Sequence, residues 1–317
     1  MPLVSVIIAT KNRKGILVQN LRRLAESTFE DKETIVVDDG SSDGTADLVV
    51  GLFPDVKLVR LEKSVGPPMA RNAGMALAKG EYFFIMDDDS YVEPGAFEKM
   101  LKVFAEDAQT AAITFRITSL ADGSVNTRHY TQPHCKSIWT IATGFRADAA
   151  RQVGGFTPLS VFHGDEFDYA VRLIDHGYNI RYAPEIQAFD EGVGHRHQFP
   201  VARLVNIGNW ILIFFDLFPA PTAALFSARA ITAFALRSVR ERSCLPFLKG
   251  MFHAGWNLAA VLRHRHVVSA ETVALFSDPN LLPDTYNIPM RRKARHKIAL
   301  WLSARNKQTD SRVLPRS

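Results

Sequence analysis

Residues 80–94 read GEYFFIMDDDSYVEP, and the reading of this stretch decides the fold. The apolar and aromatic run 82–86 has the composition of a buried strand, and it drives straight into three consecutive aspartates, Asp87, Asp88 and Asp89. Adjacent carboxylates repel one another, and burial raises that cost unless a cation stands among them. The triplet therefore either lies in water on an acidic turn or is built to meet a metal. On its N-terminal side a helical pattern runs from about 68 to 79, with Gly80 placed to stop it. On its C-terminal side Pro94 suits the first turn of a helix over 95–106.

Working outward, residues 3–9 (LVSVIIA) form a continuous β-branched run, as expected of a strand buried on both faces. Leu17, Leu21 and Leu24 then share one helical face. A strand over 34–37 ends in DDGSSDGT, a loop dense in turn formers, before a helix over 45–53 and a strand over 57–61. Four strands alternating with helices predict a mostly parallel α/β sheet flanked by helices, with right-handed crossovers. Ligands of such sheets bind beyond the carboxyl ends of the strands. Polar residues gather there: Thr10-Lys11-Asn12, Asp38-Asp39-Gly40 and Asp87-Asp88-Asp89. Further along, a strand over 111–117 leads into ADGSVNTRHYTQPHC, which either admits a substrate or is a surface hairpin. GDEFDYAVRLIDHGY predicts a helix over 165–176 stopped by Gly177, and a strand follows over 179–183.

The chain of 317 residues is long enough for a full core. Its apolar content of 47% and charged content of 22% exclude wholesale disorder. Cys135 and Cys244 have no metal-type spacing and suit a reducing compartment, although one disulfide between them is open. MPLVSVIIATKNR has no basic leader and no cleavage site, so it reads as a strand, and the expected active site is cytosolic.

The net charge of +5 conceals an asymmetry that divides the chain into a domain over 1–200 and a helical region over 201–317. The first part carries 21 Lys and Arg against 27 Asp and Glu, a balance of −6, and the second carries +11. A basic region favours an anionic surface, phospholipid or nucleic acid. The segment 207–236 is mostly apolar, but Asp216, Pro219, Pro221 and Arg229 interrupt it, against the ~20 apolar residues a spanning helix needs. Beyond it, Trp256, Leu258 and Leu262 lie near Arg263 and Arg265, and RRKARHKIALWLSARNK follows. Such segments lie in a membrane interface with the apolar face down, or else pack as helices on the first domain or on a second subunit. Trp256 and Trp301 belong to no RNA-binding motif, so a membrane surface is expected and nucleic acid is not.

Carboxylates at a strand end, without cysteine or a local histidine, make a hard oxygen site suited to Mg²⁺ or Mn²⁺. Such ions commonly bind through one or two carboxylates together with substrate phosphates. The segments VSVIIATKNR, VVDDGSSDGT, GPPMARNAGMALAKGEYFFIMDDDS, GFRADAARQVGGF and GDEFDYAVRL, in that order, resemble family 2 glycosyltransferases over residues 3–200. The resemblance implies a GT-A type nucleotide-sugar-binding domain and an inverting, metal-dependent transfer of a sugar from a nucleotide diphosphate, UDP or dTDP favoured. It implies that Asp39 contacts the base and that Thr10 and Asn12 line the same pocket. It also implies that Arg71 lies near the nucleotide, that Asp87 and Asp88 serve nucleotide and ribose, and that Asp89, with Asp87, holds the metal. His195, in EGVGHRHQ with His197, is the histidine that would reach metal or diphosphate. Glu166 is the expected general base, with Asp165 the alternative. Asp168 and Arg172, spaced i, i+4, are expected to be an ordinary surface pair. The expected acceptor is a glycan or a lipid-linked intermediate of cell-surface polysaccharide or lipopolysaccharide synthesis, met at the inner face of the membrane. A sugar-phosphate nucleotidyltransferase would instead need a Gly-rich, basic triphosphate loop after the first strand, where ATKNRKG supplies one glycine.

Overall fold

The computed structural model describes residues 1–126, 135–160, 164–192 and 206–277. His195, His197, Trp301 and the basic stretch after 290 lie outside the described residues, as does part of the polar loop at 127–134.

The described residues form one nine-stranded sheet in the order β3-β2-β1-β4-β8-β6-β9-β5, with β7 paired to β6. Strands β1 (Val4–Thr10), β2 (Lys32–Asp38), β3 (Lys57–Arg60) and β4 (Tyr82–Asp87) are mutually parallel. They alternate with helices α1 (Lys14–Ala25), α2 (Thr45–Leu52) and α3 (Pro67–Leu77). Beyond β4 the sheet becomes mixed. The short β5 (Ser90–Val92), α4 (Ala96–Glu106) and β6 (Thr110–Ser119) come next, followed by β7 (Val125–Asn126) and β8 (Ala142–Arg146). Helices α5 (Ala147–Val153) and α6 (Asp165–Asp175) precede β9 (Asn179–Asp190). Strand β8 runs antiparallel to both β4 and β6, whereas β6 and β9 are parallel. The start of the polar loop after β6 is a hairpin, with Ile117 opposite Asn126.

Side-chain alternation builds two cores from the same strands. Ile7, Ile35, Val37, Phe83 and Ile85 face α3, α5 and α6, while Val6, Ile8, Val36, Phe84 and Met86 face α1, α2 and α4. Both faces are covered, so the central strands carry near-continuous apolar runs.

Three local expectations shift. Helix α3 begins at Pro67 and ends at Leu77, so Arg71 and Asn72 lie in its second turn, and Gly80 is not its stop. Gly80 instead sits where a β-carbon would come within 2.7 Å of the Ser5 amide nitrogen, and its own N–H donates to Ser5 Oγ at 2.8 Å. Pro94 precedes the Gly95 cap rather than entering α4, which starts at Ala96. Gly177, by contrast, follows the last turn of α6 with a φ of +82°, the left-handed conformation that ends a helix.

The C-terminal helices are α7 (Ile207–Leu217), α8 (Ala220–Arg240), α9 (Cys244–His264) and α10 (Ala270–Phe276). They form a third apolar cluster around Trp210, Phe214, Phe218 and Phe226, joined to the first domain by Phe167 and Val171 of α6. Helix α7 is buried almost all round, and the chain breaks at Phe218-Pro219 before α8. Among the described residues no helix is long and apolar enough to cross a membrane. Cys135 is buried and Cys244 exposed, both as free thiols.

Candidate functional site

The carboxyl ends of β1, β2 and β4 meet over one crevice. From β1, Thr10 Oγ1 donates to Asp88 Oδ2 at 2.6 Å. Arg13, three residues after Thr10, places one guanidinium nitrogen 2.6 Å from Asp88 Oδ1 and another 2.7 Å from Asp89 Oδ2. Asn12 adopts a φ of +54°; its N–H donates to Ser41 Oγ at 2.8 Å and its Oδ1 accepts from the Ser42 N–H at 2.7 Å. Asn12 thus ties the end of β1 to the DDGSSDG loop. From the end of β2, buried Asp39 accepts from Ser64 Oγ at 2.7 Å and from the Val65 and Gly66 amides at 2.7 and 3.0 Å, which fixes the entry to α3.

The aspartates differ in their surroundings. Asp88 and Asp89 are buried, whereas Asp87 is partly exposed. Burial pushes the Asp88 carboxyl up to about 7; the Arg13 charge and the Thr10 hydroxyl pull against that shift, and the neighbouring Asp89 and Asp87 add to it. The opening alternative of a solvated acidic turn therefore fails for Asp88 and Asp89, which are compensated by Arg13. Asp87 Oδ1 instead receives Arg71 Nη2 at 2.9 Å, and the other arm of Arg71 lies 3.3 Å from Asp165 Oδ2. Arg71 is buried, and its charge is shared between the end of β4 and the first residue of α6. Asn72 beside it donates to the Phe156 carbonyl at 2.9 Å and accepts from the Phe156 N–H at 2.7 Å, so the ARNAG and VGGF segments hold each other.

Helix α6 begins with Asp165, Glu166 and Asp168 in its first turn, where acidic side chains complement the amino-terminal end of the macrodipole. Asp165 is buried against Arg71, whereas Glu166 is partly exposed and accepts from Thr140 Oγ1 at 3.0 Å. Burial raises the Glu166 carboxyl above the usual carboxylate range, with Arg71 and Thr140 opposing the rise. The segment that carries Thr140 also carries Ile141, whose carbonyl accepts from the Asp87 N–H at 3.3 Å and from Ser90 Oγ at 2.7 Å. One short strand approach therefore anchors both the aspartate turn and Glu166.

Asp168 departs from its expected role as a surface group. It is 1% exposed, and it receives two bonds from Arg172, at 2.9 and 2.6 Å. Arg172 also donates to the Val153 and Gly155 carbonyls at 2.9 and 2.8 Å. The pair locks α6 to the end of α5.

Of the expected site residues, Thr10, Asn12, Asp39, Arg71, Asp87, Asp88, Asp89, Asp165 and Glu166 all gather around this crevice, and His195 lies outside the described residues. Arg13 and Thr140 were not anticipated. Arg13 left one trace, a cation a few residues past the end of β1. Thr140 left none, because it reaches Glu166 across 26 residues from a segment without a polar motif.

The donor set is made of hard oxygens, which suits Mg²⁺ or Mn²⁺. Among the described residues no three His, Cys, Asp or Glu side chains converge as a ready ligand cage. Mg²⁺ sites commonly use one or two carboxylates with substrate phosphates, so these residues fit a cation that arrives with a diphosphate.

A nucleotide-sugar transferase of the GT-A fold has this architecture. The chain aligns with a mannosyltransferase from Pyrobaculum calidifontis, PcManGT, solved with GDP-Man and Mn²⁺, at a TM-score of 0.57 and 20% identity, covering 86% of this chain and 78% of that one. It aligns equally with TarS 1–349 of S. aureus in complex with UDP-GlcNAc, at a TM-score of 0.56 and 18% identity, over 68% and 66% of the two chains. The chain belongs to glycosyl transferase family 2, whose sequence profile matches residues 5–163. A pre-mycofactocin glycosyltransferase of Mycobacterium tuberculosis is 30% identical over 258 residues, 74% of this chain and 53% of that protein. The chain thus spans about half the length of that curated relative.

Proposed function

We propose that this glycosyltransferase moves a sugar from a nucleoside diphosphate to a hydroxyl of a glycan or lipid-linked acceptor, with inversion at the anomeric carbon and Glu166 as general base. The observation that carries the assignment of the base is the contrast within the pair at the start of α6. Asp165 is committed to Arg71, while Glu166 is held by a neutral hydroxyl and keeps access to solvent. A base must come within hydrogen-bond reach of the proton it removes, and a carboxyl raised by burial works closer to neutral pH than an ordinary one.

The nucleotide would lie over the ends of β1 and β2, against Thr10, Asn12 and Asp39, with its diphosphate toward the aspartate turn. Asp89 and Asp87 would hold a divalent cation, with His195 as a further ligand. When bound, Mg²⁺ or Mn²⁺ would neutralise the charge that develops on the departing diphosphate. Arg71 keeps Asp87 and Asp165 at a set separation, which relates the donor side of the crevice to the base side. Glu166 takes the proton of the acceptor hydroxyl as that oxygen attacks the anomeric carbon, opposite the leaving nucleotide. A pyrimidine base is favoured by the family resemblance at Asp39, although PcManGT was solved with GDP-Man and TarS with UDP-GlcNAc. The basic, apolar region after 200 supports an acceptor presented at a membrane surface, as in the synthesis of cell-surface polysaccharide or lipopolysaccharide.

Glu166→Gln tests the reading. It should retain donor affinity while transfer falls by about 10²–10⁴-fold, the usual contribution of a positioned base. Transfer at the wild-type rate would move the base elsewhere.

A further inference from the structure

Helix α9 carries apolar side chains on both of its faces. On the face turned to the protein Gly250, Ala254 and Val261 are buried, and Phe247, Met251 and Ala254 pack in the C-terminal cluster. The opposite face presents Leu245, Leu248, Phe252 and Trp256, spaced by three and four residues, which places them on one stripe. These four are 65%, 58%, 70% and 77% exposed, and the Phe252 and Trp256 rings stack with centroids 6.0 Å apart. A helix that only packs on a domain puts its large apolar groups inward and its polar groups outward. Here large apolar groups face outward as well as inward, and four large side chains in a row exceed the scattered exposed leucines normal for a surface.

The charge of α8 and α9 together points to what covers the stripe. Between residues 217 and 264 there are six Arg or Lys and a single acid, Glu241. Helix α9 itself has no acidic residue; Lys249 flanks the stripe, and Arg263 continues its line two turns beyond Trp256. Aromatic and leucine side chains bordered by cations are what an interfacial helix offers to an anionic bilayer, with the rings in the acyl boundary and the cations at the headgroups. Among the described residues no helix is long and apolar enough to cross a bilayer. We propose that the Leu245–Leu248–Phe252–Trp256 face of α9 docks on the surface of an anionic phospholipid membrane. The inference concerns where the enzyme works and does not depend on which group is the base.

The test uses the full chain and sedimentation with vesicles of phosphatidylcholine, with and without about one part in three phosphatidylglycerol. The wild type should bind the anionic vesicles, more weakly as salt rises. Phe252→Ser/Trp256→Ser should lose roughly tenfold or more of that affinity while binding a nucleotide-sugar as before, because both side chains are exposed. Trp256→Phe should still sediment but lose the part of the fluorescence blue shift that brominated lipid quenches. The proposal is overturned if the double variant sediments as the wild type does, or if neutral vesicles bind equally well. It is also overturned if the double substitution dissociates a dimer instead, which would make a second copy the occupant. Shielding of Trp256 from aqueous iodide in the free chain would overturn it too, because the face would then be covered by the chain itself. Loss of nucleotide-sugar binding in the wild type would count against the proposed function and leave the docking result standing.

Discussion

Arg13 sets one guanidinium against two adjacent buried carboxylates, and this geometry determines how the aspartate turn tolerates its own charge. Breaking a buried ion pair by removing one partner typically costs about 3–5 kcal/mol, because the remaining charge is stranded. Arg13→Ala should therefore be destabilised by about that amount, and the loss should be partly restored by Mn²⁺, which supplies replacement positive charge. Thermal unfolding with and without Mn²⁺ checks this; an equal metal-induced shift in the variant and the wild type would show that Arg13 does not compensate the seat of the cation. Thr140 has a different task. Its hydroxyl favours the ionised Glu166 carboxylate, so Thr140→Val should raise the carboxyl further and move the acid limb of the pH–rate profile to higher pH. Transfer should fall most on the acid side of the profile and recover as pH rises, because the lost hydrogen bond favours the charged form. A reduced rate with an unmoved limb would make Thr140 structural only. The aspartates, Thr10 and Glu166 could be anticipated because each belongs to a motif at a strand or helix end. Arg13 and Thr140 could not, because their partners are 75 and 26 residues away and only folding brings them together.

Helix α6 illustrates what periodicity conveys and what it omits. Its span, its acidic first turn and its stop at Gly177 follow from local chemistry, and the helix lies where the pattern places it. The spacing of Asp168 and Arg172 also identified a pair, but spacing carries no information about burial. Burial of the pair comes with folding, which brings Arg172 to the Val153 and Gly155 carbonyls at the end of α5. Strand β8 was missed for a related reason: ATGFR is short and lacks β-branched residues apart from Thr143, and pairing with β4 and β6 makes it a strand. Burial holds the Asp168 carboxyl at about 6 despite Arg172, well above the ~3.9 of an unfolded chain. Between those values the folded protein keeps a proton that the unfolded chain has released, so the contribution of Asp168 to stability falls as pH rises through that window. Asp168→Asn should remove this slope, narrowing the stability gap to the wild type by about 2 kcal/mol between pH 4 and pH 6.5. Urea unfolding of both proteins at the two pH values measures it. A constant gap would mean that Asp168 is ionised throughout.

At the scale of the molecule, the acidic catalytic part and the basic helical part carry opposite charge for separable reasons. The acidic balance of −6 over residues 1–200 includes the aspartates at the crevice, against which Arg13 and Arg71 are set. A diphosphate would not enter such a crevice unless a divalent cation came with it, so donor and metal should bind with positive coupling. By linkage that coupling is reciprocal: each ligand must raise the affinity for the other by the same factor. Saturation at about 100 times Kd stabilises a folded chain by about 2.7 kcal/mol, roughly 4 °C for a protein of this size. A nucleotide-sugar with Mn²⁺ should therefore raise the melting temperature by more than the two separate shifts combined, with UDP- or dTDP-sugars ahead of GDP-sugars. Asp89→Ala should abolish the excess while keeping the fold. Additive shifts in the wild type would show that the cation and the diphosphate bind independently, and the carboxylates at the end of β4 would then have to serve something other than a shared site.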